Sequence, residues 1–225
     1  MSTTMEVKSK AAPGAGTLGS LSSAPVKLGR REILVLSGLG ALALVLAGLW
    51  FASASGQRRE AFARRQLETA RAAGEAGNLP LAASEFQRVA TNFKGTEAAQ
   101  EAMLALNQAR IINGQNELAA QGLRSFLESK PEPKFVVPAN ALLGTALENA
   151  NKPGEAGEAY RAAAAAATAD YLKSEYLTEA GRAFLDAGRV QDAAAVYREI
   201  VQKYDKTPSF TEAQVRLAEL TKGSM

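Results

Sequence analysis

The sequence predicts an all-α protein: one long apolar helix near the N-terminus, then an α-solenoid of four helical hairpins and a C-terminal capping helix. Three observations carry this. Ile33 to Phe51, ILVLSGLGALALVLAGLWF, holds no charge and no proline, and Ser37 is its one polar side chain. From Gln57 onward, alanine-rich helical sequence is interrupted by a turn residue every 37 positions, at Gly77, Gly114, Asn151 and Gly188. The last segment, Thr211 to Thr221, sets Ala213, Leu217 and Leu220 on one face and charge on the other. That is the pattern of a cap on a stacked array.

The apolar stretch is taken first. At about 1.5 Å per residue it spans roughly 28 Å, close to the hydrocarbon thickness of a bilayer. Arg30, Arg31 and Glu32 fence one end, Arg58 and Arg59 the other, and Trp50 and Phe51 sit at the outgoing boundary, where amphipathic rings are favoured. A core helix rarely stays apolar all round for five turns, so residues 30–56 read as a transmembrane helix. Ala52 and Ala54 have the small-x-small spacing of a signal-peptidase site. The length of the apolar run and of the region before it favours a retained anchor. Gly40 and Gly48, with Ala41, Ala43 and Ala47, form a small-residue face suited to packing on another membrane helix.

Residues 1–29 are rich in Ser, Thr, Gly, Ala and Pro and poor in bulky apolar residues, so they are expected to form a disordered basic tail. The charges up to Glu32 account for the chain's whole formal excess of +3. Arginines are nearly as dense after the apolar helix as before it, so charge bias alone leaves the orientation open. Anchors behind a short basic tail usually keep that tail inside. This places the N-terminus on the cytoplasmic side of the membrane and residues 57–225 on the other side.

The chain has neither cysteine nor histidine. Disulfides, thiol catalysis, a lipid-bearing cysteine and imidazole or thiolate metal sites are thereby excluded. No phosphate-binding or nucleophile-elbow glycine motif occurs. Glu155 with Glu158 and Glu175 with Glu179 have the spacing of solvated helix faces rather than of an acid–base pair. From residue 72 on, acidic residues outnumber basic ones, so there is no basic field for nucleic acid. The cluster Arg58, Arg59, Arg64 and Arg65 instead suits membrane lipid headgroups. No enzyme activity, cofactor or metal is expected.

Within the repeats, five residues after each turn comes an alanine: Ala82, Ala119, Ala156 and Ala193. Four residues later comes Phe86, Leu123, Tyr160 or Tyr197. Gly or Asn permits the left-handed backbone that ends one helix. The alanine lets the second helix approach closely, and the large residue fills the groove beside it. Seven residues before the turn stand Ala70, Asn107, Gly144 and Gly181. The units are placed at about 63–99, 100–136, 137–173 and 174–210, with the cap at 211–222.

These positions resemble the tetratricopeptide repeat family. The fourth unit matches best through Gly181, Phe184, Gly188, Ala193 and Tyr197, and Gly144, Leu147, Asn151, Ala156 and Tyr160 follow it closely. Arg110 departs from the apolar residue the pattern wants. The 37-residue period exceeds the usual 34 and is similar to the extended form in bacterial envelope repeat proteins. The resemblance implies protein or peptide recognition by the first helices of successive hairpins. By register the candidates are Gln108, Ile111 and Ile112, then Thr145, Glu148 and Asn149, then Thr178, Arg182 and Asp186. The layout of tail, anchor and repeats resembles the YfgM-like ancillary subunits of the bacterial Sec translocon, implying translocon or envelope-chaperone partners. A structural subunit held in a larger membrane complex through its helix, or a coordinator of envelope assembly or division, is the alternative.

Overall fold

The computed structural model describes residues 29–221. The expectation of a disordered tail falls on residues outside that span. The chain divides into two compact units, Met1–Trp50 and Phe51–Met225, and each is described by itself.

The described residues are helical throughout, with no strand. In the first unit the first helix, α1 (Arg30–Glu75), begins with the apolar stretch. Leu34, Leu44 and Trp50 are 70% or more exposed, and Leu39, Leu42 and Leu46 are more than half exposed. Among the described residues, Ser37–Glu75 is the one span long and apolar enough to cross a membrane.

The second unit holds the rest of α1 followed by α2 (Leu79–Asn92), α3 (Glu97–Ile112), α4 (Asn116–Glu128), α5 (Pro133–Asn149), α6 (Pro153–Ala166), α7 (Asp170–Asp186), α8 (Val190–Lys203) and α9 (Ser209–Thr221). From α2 on, successive helices pack on one another in chain order, and α3 also touches α5, as α7 does α9. The helices that open the units start at Glu97, Pro133 and Asp170, a few residues ahead of the boundaries placed at 100, 137 and 174.

The turn within each hairpin has the same chemistry four times. Gly77, Gly114, Asn151 and Gly188 all have φ between 58° and 78°. The N–H of the residue after each donates five residues back: Asn78 to Ala73, Gln115 to Arg110, Lys152 to Leu147 and Arg189 to Phe184, at 2.8–3.0 Å. This Schellman arrangement satisfies the orphan carbonyls of the outgoing helix. The starts of α2 and α3 carry side-chain caps, while those of α4 to α8 have none. Asn78 accepts from the Leu81 N–H and Thr96 from the Ala99 N–H. The Glu60 carboxylate accepts from the first two N–H groups of α3, on Glu97 and Ala98.

Ala82, Ala119, Ala156 and Ala193 are all essentially inaccessible, and Phe86, Leu123, Tyr160 and Tyr197 are buried beside them. In the third and fourth hairpins a ring sits where a side chain would otherwise be. A Cβ on Gly144 would lie 2.5 Å from the Tyr160 ring, and one on Gly181 2.5 Å from that of Tyr197. Full burial of such a side chain is worth about 2–3 kcal/mol.

The second hairpin is built otherwise. Asn107 takes the glycine's place on α3, fully buried, and the glycine is on α4 instead, where a Cβ on Gly122 would lie 2.4 Å from the Asn107 Oδ1. The apolar core divides here. One cluster joins Leu67, Phe86, Val89 and Leu106, and the other runs from Leu123 through Tyr160, Phe184 and Tyr197 to Leu217. Ala213 and Leu217 of α9 are buried and Leu220 packs beside them, closing the array.

Candidate functional site

The candidate surface is formed by the helices that open each hairpin, and the structure sorts its residues into three groups. Gln108 and Ile112 are exposed and line a cleft of about 580 Å³ with Leu104, Ala105, Arg71 and Phe86. Asn149 and Asp186 are exposed one and two periods on from Ile112. Ile112, Asn149 and Asp186 thus recur in a row on α3, α5 and α7, with Gln108 one turn before the first of them.

The second group is turned inward. Ile111 is half-buried and packed against the core. Thr178 is 4% exposed and donates to the Ser174 carbonyl at 2.8 Å, so it does not belong to the surface. It is out of register with Gln108 and Thr145, whose counterpart on α7 is Arg182. Glu148 is half-buried and accepts from the Tyr160 hydroxyl at 2.7 Å, and Thr145 Oγ1 lies 3.2 Å from that hydroxyl. Burial pushes the Glu148 carboxyl above its ordinary range, opposed by the Tyr160 hydrogen bond. Burial likewise pushes the Tyr160 phenol up.

The third group is Arg182, whose guanidinium is already engaged. It meets both oxygens of Glu212 at 2.9 Å and Glu179 at 3.0 Å, and the Glu212 hydrogen bonds raise its pKa. Arg182 thus ties α7 to the closing helix. The same device joins Arg71 of α1 to Glu101 of α3, three periods earlier in the sequence.

Position 110, foreign to the repeat pattern, has a structural use. Arg110 donates to Asn107 Oδ1 at 3.0 Å and Gln87 Oε1 at 3.2 Å, and Asn107 Nδ2 donates to the Met103 carbonyl at 2.8 Å. Partial burial lowers the Arg110 pKa. The carboxylates paired in sequence are on solvated faces: Glu155 meets Arg124, and Glu158 meets Arg189 and Arg161. Of the arginines after the apolar helix, Arg59 donates to the Asn92 carbonyl at 3.3 Å, Arg64 pairs with Glu60 and Glu97, and Arg65 stacks 4.8 Å from the Phe62 ring centroid. Gly40 and Gly48 have no atom within 4 Å of where a Cβ would sit. Among the described residues no cluster of acidic side chains is disposed to hold a metal ion.

No curated protein matches the sequence. Among solved structures, the chain is similar to the nearly identical TPR-like repeats of a Podosopora anserina protein described as a kinesin light chain. The two share 20% identity and a TM-score of 0.56, over 73% of this chain and 87% of that one. A substituted form of the same protein matches at 19% identity and a TM-score of 0.55, with the same coverage. Residues 141–219 match the family model described as Tetratricopeptide repeat, a span that contains both ring-into-glycine pairs. The fold is an all-helical, tetratricopeptide-like solenoid.

Proposed function

We propose that the protein is a membrane-anchored scaffold or adaptor. Its apolar helix crosses the bacterial inner membrane with the N-terminus cytoplasmic, and its periplasmic repeats hold a protein or peptide segment. The observation that carries this is the row Ile112, Asn149 and Asp186, exposed at matching places on three successive opening helices, with Gln108 exposed one turn before Ile112. A row of mixed polar and apolar side chains beside a cleft suits an extended or helical protein segment. Accessory work in protein translocation or envelope assembly, with translocon or envelope-chaperone partners, fits such a layout.

The test is site-specific photocrosslinking in cells from positions 112 and 149, with positions 118 and 171 on other faces as controls. One common partner crosslinked from the first pair and absent from the second is expected; crosslinks only from the controls would overturn the assignment. Resistance of the chain to carbonate extraction and cleavage of residues 57–225 in protease-treated spheroplasts are expected on the same reading. A second reading, a structural subunit held through its membrane helix, is favoured by the open faces of Gly40 and Gly48. Gly40→Leu with Gly48→Leu would then release the protein from its complex.

A further inference from the structure

Two clefts recur in register at the junctions between hairpins. The larger, about 690 Å³, lies between the first and second hairpins, and a smaller one, about 250 Å³, between the third and fourth. Gln87, Ala90, Met103 and Lys130 of the first correspond to Arg161, Ala164, Leu177 and Tyr204 of the second, each two periods further on. At the junction between them the place of Ala90 and Ala164 is taken by Leu127, packed against the core. An alanine leaves the space open and a leucine fills it.

The larger cleft has an apolar floor, with Ala90, Ala99 and Phe126 buried and Met103 half-buried. Lys94 and Lys130 stand on its rim. Both are exposed, and neither has an ion-pair partner among the described residues. Lys130 is held at the rim by a left-handed backbone, φ 54°, and by its N–H bond to the Leu127 carbonyl at 3.1 Å. The one carboxylate nearby, Glu132, is engaged by Lys134 at 3.3 Å and Gln100 at 3.0 Å. In the smaller cleft Thr168 and Tyr204 stand at the places of the two lysines, and the cations that do line it are spent: Arg161 pairs with Glu158 and Lys173 with Asp170.

We propose that the cleft between the first and second hairpins is a docking site for an acidic protein segment that inserts one bulky apolar side chain. The volume falls in the range of pre-formed binding clefts, and two unpaired ammonium groups beside an apolar floor select flanking carboxylates. The chain's own N-terminal segment is basic and is repelled by the same lysines. The site is separate from the row on the opening helices and does not depend on it.

Fluorescence polarisation of the full-length protein in detergent micelles tests this with two short synthetic peptides. Each carries a central phenylalanine, flanked by aspartates in one and by lysines in the other. The acidic peptide binds and the basic one does not, and binding weakens as salt is added. Lys94→Gln with Lys130→Gln weakens the acidic peptide about tenfold. Ala90→Leu, which imports the filler seen at position 127, removes binding while the thermal transition is kept. Should Ala90→Leu fail to fold, the two surface lysines decide. Asn149→Ala with Asp186→Ala leaves the peptide's affinity unchanged, which separates this site from the opening-helix surface. Equal binding of the basic peptide, absence of binding by the acidic one, or insensitivity to the lysine pair would overturn the proposal. So would concentration-dependent self-association that Ala90→Leu abolishes, because a second copy would then be the occupant.

Discussion

The second hairpin and the two that follow share a backbone and differ in how their helices meet. In the third and fourth, a glycine on the first helix receives a tyrosine ring from the second. In the second hairpin the glycine is on the other helix and what enters is the Asn107 amide, held by Arg110 and the Met103 carbonyl. Yet Gly114 closes the turn with the same two hydrogen bonds as Asn151 and Gly188. Helix reversal is thus a local property of a positive-φ residue, independent of what fills the helix interface. The interface decides how far the apolar core extends, and a polar one divides it between α3 and α4.

The sharpest way to break this comparison is to add one methyl on each side of it. In Gly181→Ala the new Cβ meets the fully buried Tyr197 ring, which has no room to move. A loss of about 1–3 kcal/mol is expected, as for other overpacked cores. In Gly122→Ala the groups met are the Asn107 amide and the Arg110 guanidinium, both at the ends of side chains. Displacing them is offset by the gain of about 1 kcal/mol from replacing a helical glycine, so the net change is near zero. Urea unfolding of both variants measures the difference, and equal losses would show that the two interfaces are equally rigid.

A smaller effect separates the third hairpin from the fourth. The Tyr160 hydroxyl donates to Glu148, but one period on the glutamate is replaced by Leu185, and the buried Tyr197 hydroxyl has no partner among the described residues. Burial pushes the Tyr197 phenol up to about 12. Tyr160→Phe removes a made hydrogen bond and is expected to cost about 1–1.5 kcal/mol. Tyr197→Phe removes an unmet one and is expected to be neutral or stabilising. Thermal melting of the two variants should move in different directions.

The turn comparison gives a smaller effect still. Asn151 occupies with a side chain the conformation that glycine occupies in the other three turns. Asn151→Gly should gain a few tenths of a kcal/mol, and Gly188→Asn should lose a similar amount. Reciprocal shifts in the urea midpoint would confirm that the four turns are interchangeable.

The turns, the alanines and the aromatic positions were legible in the sequence because each obeys a rule that repeats: positive φ, close helix approach, groove filling. The placement of surface side chains was not. Arg182 was expected on the binding row, but its partner Glu212 lies 30 residues on in another unit, and nothing local announces it. Two arginine–glutamate pairs at the same register, Arg71 with Glu101 and Arg182 with Glu212, were the available signal. Thr178 failed because it was not in register with its supposed equivalents. The size alternation Ala90, Leu127, Ala164, Val201 was visible in the sequence, but its consequence for the clefts depends on which helices meet at each junction. The polar seam was marked by Asn107, at a place small residues hold in the other units, and by Arg110, foreign to the pattern.

The smallest expected effect concerns Glu148, which exists as a partner for Tyr160 only in the third hairpin. Burial raises its folded-state pKa above the ordinary value of 4.5, with Glu179 and Asp186 adding to the rise. A carboxyl with a raised folded pKa contributes stability that is fully present below the unfolded pKa and is lost as pH climbs through the folded one. Near pH 7 the ionised group therefore opposes folding, an effect reduced by solvent because the side chain is only half-buried. Glu148→Gln keeps an oxygen to accept from Tyr160 and cannot ionise. Its urea midpoint should exceed the parent's at pH 7 and coincide with it near pH 4. In Leu185→Glu, which supplies Tyr197 with the missing acceptor, the same pH dependence should appear in the fourth hairpin. If it does not, the difference between the hairpins lies in the surroundings of the carboxyl rather than in its presence.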